Sequence, residues 1–193
     1  NTEESLNRTN NIRCYEYLWT TTKNTSEIID NTIFQSILEN EETWIPLYEG
    51  KMIWQFDSFF TPPTYWMSLK DAIDHVTVSS PLSTRLAHRR ISASTNERTL
   101  IASLVPMGAI AETNCTVIWI EGAAVPGVEA YLCGILNSFV IDYILRYKVT
   151  TTLNMFYMES LPVPRENSPN DKINDAIGSI IARVMRLVCS NVV

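Results

Sequence analysis

The densest positive charge in the chain is the run Arg85-Leu-Ala-His-Arg-Arg90, with Asn96 and Arg98 following across a polar turn. A guanidinium forms paired hydrogen bonds to a guanine edge or a phosphate, and an asparagine amide does the same to adenine. If 85–91 is a strand, Arg85 and Arg89 share one face while His88 and Arg90 share the other. A pair presented in this way can enter a major groove or brace a phosphate backbone. A plainer reading fits the same residues. Arginines on an edge strand serve solubility and discourage edge-to-edge pairing, and Ser94-Thr-Asn-Glu97 fits a capping box at a helix start.

Other chemistries do not assemble. The six glycines form no GxGxxG loop, and neither a Walker-type lysine nor a His-Glu-x-x-His motif is present. Ser92 or Ser94 with His88 and Asp74 can be drawn as a nucleophile triad, but no nucleophile elbow supports it. Glu41-Glu42 with Lys51 imitates a nuclease's acidic pair and lysine, and the turn between them is better read as structure. Cys14, Cys115, Cys133 and Cys189 make no CxxC pair, and neither His75 nor His88 stands at ligand spacing from one. No catalytic residue and no metal ligand is therefore assigned, and the cysteine pattern suits a reducing cytoplasm.

Those candidate residues need a framework, and the bulk composition supplies one. With 193 residues, 46% of them hydrophobic and 19% charged, the chain can bury a real core and is no solvated tail. The net charge of -6 counts against tight, independent DNA binding, which relies on phosphate neutralisation. A local basic face, or a module leaning on a larger partner, remains compatible with it. The apolar run Val128 to Leu145 is interrupted by Asn137, Ser138 and Asp142 and followed by Arg146, so a buried helix is expected rather than a membrane span. The Asn-x-Ser/Thr matches at Asn7, Asn24 and Asn114 are read as chance in an Asn/Thr-rich chain. The opening Asn-Thr-Glu-Glu reads as the start of a fragment of something longer.

Hydrophobic periodicity predicts a helix over Ser26 to Leu38, strand structure over Trp44–Tyr48 and Lys51–Phe56 around a Glu49-Gly50 turn, and a weak helix over Trp66–Val76. Strands are expected at Arg85–Ala93, Thr99–Val105 and Thr116–Ile120. One long helix is expected from Gly127 to Lys148, an extended piece at Asn154–Met158, and an amphipathic helix from Asn170 to Cys189. Strands in the middle with long helices late predict an α+β fold: a mixed, largely antiparallel sheet with packed helices, ending in a long amphipathic helix.

Four blocks together resemble the C-terminal part of MmeI-like (type IIG/IIL) restriction-modification enzymes and their adenine methyltransferase relatives. They are Leu47-Tyr-Glu-Gly-Lys-Met-Ile-Trp-Gln-Phe-Asp57, Ser94-Thr-Asn-Glu-Arg-Thr-Leu-Ile-Ala-Ser-Leu-Val-Pro106, Leu136-Asn-Ser-Phe-Val-Ile-Asp-Tyr-Ile-Leu-Arg146, and Leu153-Asn-Met-Phe-Tyr157 leading into Leu161-Pro-Val-Pro164. Trp54 departs from the block around it, where a more polar residue is expected. The resemblance implies a target-recognition domain, similar to those of type I and type II systems, over 41–168. A helical connector from a methyltransferase core would occupy 1–40, and a packing or spacer helix 169–193. It further implies double-stranded DNA as partner, a methyltransferase domain in cis, S-adenosylmethionine as that domain's donor, and methylation of a flipped adenine. The chain itself would hold no cofactor: its one Pro-Pro, in Thr61-Pro-Pro-Thr64, lacks the leading amide or acid and the following aromatic that an adenine methyltransferase needs.

Candidate DNA contacts on this reading are Lys51, Arg85, Arg89, Arg90, Asn96, Arg98 and Arg146. Base-reading positions are expected in the least family-like stretches, Phe59–His75 and Arg85–Arg90, while Asn137 and Ser138 are expected to bond within the core or cap backbone. The competing reading is a protein-docking module in which the helix at 170–189 is the docking surface. A third, an enzyme in its own right, lacks any coherent set of acids or nucleophiles.

Overall fold

The computed structural model describes residues 44–69, 71–72, 84–106, 108–118, 120, 127–164 and 171–190. The expected helix at Ser26–Leu38, the 1–40 connector, Cys14 and His75 lie outside the described residues. Strands in chain order are β1 (Trp44–Tyr48), β2 (Tyr65–Ser68), β3 (Arg85–Arg89), β4 (Ala102–Val105), β5 (Ile110–Ala111) and β6 (Cys115–Ile118). Helices α1 (Val128–Leu136), α2 (Phe139–Arg146), α3 (Met155–Glu159) and α4 (Asp171–Ser190) follow. The strands form two three-stranded sheets, ordered β2-β1-β5 and β4-β3-β6. This is the expected α+β arrangement ending in a long helix.

The chain divides into two compact units. In the smaller one, β1 pairs antiparallel with β2, Ile45 opposite Met67 and Leu47 opposite Tyr65. Ile45 and Leu47, two residues apart, gather with Leu69, Ala72, Ile110 and Met67 in one cluster. The helix expected over Trp66–Val76 gives way at Tyr65–Ser68 to strand, because the segment pairs with β1, while Leu69, Asp71 and Ala72 are helical and 73–76 lie outside the described residues.

The larger unit holds 49–62, 85–105 and the chain from Ala111 onward. Its sheet is centred on β3, paired antiparallel with β4 (Leu86 opposite Leu104) and with β6 (Leu86 opposite Ile118). β3 is thus an interior strand, and the edge-strand reading of its arginines does not hold. Helix α1 lies over β3 and β4, which buries β4 along its whole length.

The long helix expected over Gly127–Lys148 breaks in two, α1 and α2 meeting at a bend of 57°. Asn137 causes the break. Its Nδ2 donates back to the Cys133 carbonyl at 3.0 Å and across to the Ala102 carbonyl at 2.8 Å, while its Oδ1 accepts from the Ala102 N–H at 3.1 Å. A side chain bonded to backbone in this way competes with helix continuation. Ser138, extended at φ -69° and ψ 150°, then caps α2 by accepting from the Ile141 N–H. Among the described residues no single helix is long and apolar enough to cross a membrane.

Three smaller expectations are corrected. Lys51–Phe56 is not a strand: a 3-10 turn over Gly50–Met52 leads into a tight hairpin closed between Trp54 and Asp57. Gly50 permits this, since a Cβ there would lie 2.6 Å from the Asn114 carbonyl oxygen. Asn154–Met158 is not extended, for Met155–Glu159 forms the single turn α3, too short to leave a helical period in the sequence. Ser94–Glu97 begins no helix. Helix α4, by contrast, packs on α1 as its apolar stripe predicts, burying Ile177, Val184 and Val188.

Candidate nucleic-acid interface

The second and third resemblance blocks are joined inside the larger unit by one polar network. Asp142, 6% exposed, directs Oδ1 at the backbone N–H groups of Thr99 (2.7 Å) and Leu100 (3.1 Å). The Arg98 Nε lies 3.7 Å from the same oxygen, and its Nη2 donates to the Asn137 carbonyl. With its amide oxygen turned toward Arg98, Gln55 accepts from Nε and Nη2 at 3.0 Å. The guanidinium also lies 4.7 Å from the ring centroid of Phe139. Burial pushes the Asp142 carboxyl up, but the Arg146 hydrogen bond, the two backbone N–H groups and the Arg98 charge outweigh it, so the group sits below the ordinary carboxylate range.

Asp142 Oδ2 accepts from Arg146 Nη2 at 3.0 Å. The rest of that guanidinium grips the loop 94–97 by its backbone: Nη1 donates to the carbonyls of Ser94 (2.6 Å) and Asn96 (2.9 Å), and Nη2 to that of Glu97 (2.8 Å). The loop is further closed by the Asn96 N–H to the Ala93 carbonyl, 3.1 Å, and by Ser92 Oγ donating to the Thr99 carbonyl. Its backbone is fastened from below, while Ser94, Thr95, Asn96 and Glu97 are all exposed.

A second constellation forms where β3 ends. Arg89 Nε donates to the Ile53 carbonyl at 2.8 Å and Nη2 to that of Lys51 at 3.4 Å. The same guanidinium lies 5.0 Å from the Trp54 ring centroid and 5.9 Å from that of Phe60, and the two rings stack at 5.2 Å and 24°. The hairpin beneath is tightly built: Trp54 and Asp57 exchange backbone hydrogen bonds of 2.7 and 3.2 Å, Phe60 N–H reaches the Met52 carbonyl at 3.0 Å, and Asp57 Oδ1 accepts from the Phe59 N–H at 2.8 Å. Phe56 sits at φ 63°, a left-handed conformation unusual for a side chain of that size, pinned by its N–H to the Ala102 carbonyl. Arg90 adjoins this constellation through its N–H to the Asn114 carbonyl, 2.9 Å, the group against which Gly50 packs. Lys51 is exposed and pairs with Glu49 at 2.8 Å.

The seven expected contact residues therefore separate. Arg85, 3% exposed, and Arg98, 7% exposed, are interior residues, and Arg146 is committed to the 94–97 loop. Lys51 and Arg89 come together around the Trp54–Phe60 hairpin, Arg90 reaches its neighbourhood only through a backbone N–H, and Asn96 stands on the clamped loop. Arg85 and Arg89 share a strand face as expected, but burial of β3 withdraws Arg85 from any groove. Neither aromatic ring is among the seven expected contact residues; the signals for them are the oddity of Trp54 within its block and the place of Phe60 in the Phe59–His75 stretch. Asp142, read only as an interruption of an apolar run, is the centre of the network.

Elsewhere in the larger unit, α2 leaves Phe139, Val140 and Tyr143 exposed, with Tyr147 just beyond its end at 5.0 Å from Tyr143. Among the described residues no group of three or more His, Cys, Asp or Glu side chains is placed to hold a metal ion. Comparison with known protein families, curated proteins and solved structures finds no match to this chain.

Proposed function

We propose that the chain is the DNA target-recognition segment of a cytoplasmic adenine-N6 methyltransferase of the restriction-modification type. On this reading it acts in cis with a catalytic domain that uses S-adenosylmethionine. The observation that carries the reading is the 94–97 loop, whose backbone is held by a guanidinium and whose four side chains all face solvent. Sequence readout requires polar groups held at fixed positions against base edges, and a preset loop loses little entropy on binding. Asn96 offers the amide that pairs with adenine. Arg98, Arg146 and Asp142 position that loop, and Lys51, Arg89 and Arg90 supply phosphate contacts. The acidic net charge fits a module whose catalytic partner contributes much of the positive groove.

The test is a graft of residues 40–193 onto a related methyltransferase of known specificity, followed by mapping of methyladenine across a host genome. A new, defined motif is expected. An active chimera that keeps the recipient's motif would sink the recognition reading.

A docking module is the second reading, and one observation favours it: the exposed Phe139, Val140, Tyr143 and Tyr147 form more apolar surface than solvent rewards. Helix α4 contributes less to this reading, because α1 covers Ile177, Val184 and Val188 of its apolar stripe and leaves Ile173 and Met185 exposed.

A further inference from the structure

We infer that Trp54 and Phe60, capped by Arg89, form a platform on which an unpaired nucleobase stacks, with Arg89 and Lys51 taking the flanking phosphates. The inference rests on the DNA-recognition reading and adds to it the form of nucleic acid that this part of the surface accepts.

Four observations converge. First, the rings are already stacked on each other, yet Phe60 remains 50% exposed, so the stack ends at solvent instead of in the core. A base completes such a stack without regard to its identity, because every base has a π-face. Second, Arg89 lies over both rings while two of its nitrogens, Nε and Nη2, are held by backbone carbonyls. This leaves Nη1 without a partner among the described residues, a donor for a phosphate or a base edge. Third, the cations beside the rings are within reach of a strand's phosphates: Arg89 lies over the rings, and Lys51 is exposed, paired on one side with Glu49 at 2.8 Å. Fourth, the hairpin is rigid and holds Phe56 at φ 63°. Such strain persists where the surroundings over-determine it and gathers at binding sites.

A duplex does not offer a free base face. A strand whose base has been turned out, or the bases left beside it, does. The platform is therefore assigned to single-stranded or locally opened DNA, distinct from the groove contacts of Asn96.

The experiment titrates the full chain into a fluorescein-labelled twelve-residue oligothymidylate and, separately, a blunt duplex, reading anisotropy and tryptophan quenching. Binding of the single strand with quenching is expected, and Trp54→Ala with Phe60→Ala should weaken it tenfold or more, since one stacked base contributes about 1–3 kcal/mol. Phe60→Leu, which keeps apolar bulk and protects the fold, should lose most of that affinity. Trp54→Phe should keep the affinity and lose the quenching. Lys51→Ala should lower the salt dependence by about one phosphate contact. Single-strand binding unchanged in both Phe60→Leu and the double alanine variant overturns the platform, assigning the stack to fold maintenance alone, while duplex recognition can still be read from Asn96. Absence of single-strand binding by the native chain also overturns the platform, whereas the DNA-recognition reading stands or falls separately on the motif methylated by the chimera.

Discussion

Arg98 and Asp142 meet inside the larger unit with Nε 3.7 Å from Oδ1, both side chains less than a tenth exposed. One carboxylate oxygen thereby holds Arg98 and the backbone at 99–100, and the other holds Arg146 and, through it, the loop 94–97. Removing one partner of a buried ion pair strands the other charge, which costs far more than the pair contributes. Asp142→Asn should lower stability by about 3 kcal/mol. Urea denaturation is the check: the midpoint should fall with the slope unchanged. A midpoint within error of native would show that Asn137 and Gln55 suffice to hold Arg98.

Two buried groups give the stability curve a defined pH dependence. His88, fully buried, has its pKa lowered by burial, opposed by the contact of Nδ1 with the Arg89 carbonyl at 3.0 Å. A lowered folded value means that the unfolded chain takes the proton first as pH falls. The stability present above about 6.5 is then lost as pH drops from there through the folded value. Asp142, also lowered, contributes stability that is present above the ordinary carboxylate value and lost only in stronger acid, as pH falls through its folded value. Thermal unfolding from pH 8 to pH 3 should therefore show two descending limbs. His88→Gln should flatten the first and leave the second, and an unaltered first limb would assign it to other groups.

Two glycines on the packed helices should respond in opposite directions. A Cβ at Gly134 would meet Ile180 Cγ2 at 2.7 Å and Val184 Cγ2 at 2.9 Å, both on branched side chains that have little rotamer freedom in a helix. Gly134→Ala must push α4 away from α1 and should cost about 1–3 kcal/mol. At Gly178, within α4, an added Cβ meets nothing within 4 Å, so Gly178→Ala should stabilise by about 0.5–1 kcal/mol. Calorimetry on the two variants decides it. Equal effects would mean that α4 does not seat on α1 at this crossing.

Recognition and grip should be separable by mutation. Asn96→Ala should relax the methylated motif at one adenine, costing about 1–3 kcal/mol of discrimination. Arg90→Ala should weaken binding evenly across sequences. Arg85→Lys, which keeps charge at an interior position, should change thermal stability and leave the motif alone. Motif mapping beside affinity measurements checks all three. A motif that survives Asn96→Ala intact would remove the 94–97 loop from base reading.

What the sequence made legible follows from the range of the forces involved. β4 and α4 show through because a short apolar run ended by proline and a helical stripe are local properties of the chain. The break at Asn137 was visible only as a polar interruption, since its bonds to Ala102 depend on a strand 35 residues away. The Trp54–Phe60–Arg89 stack likewise joins a hairpin to a strand end some thirty residues on. Arginines announce charge but not direction. Nothing in Arg85-Leu-Ala-His-Arg says that the strand is flanked on both sides and covered by a helix.

The clamp on loop 94–97 touches carbonyls alone. Every amino acid carries a carbonyl, so the grip of Arg146 is blind to which residues the loop contains. Substitutions at Ser94, Thr95, Asn96 and Glu97 can accumulate without dislodging the segment or disturbing the core beneath it. A fold with this property lets one stretch of surface drift through chemistries while its coordinates stay put, and a lineage can acquire a new target without first having to evolve a new architecture.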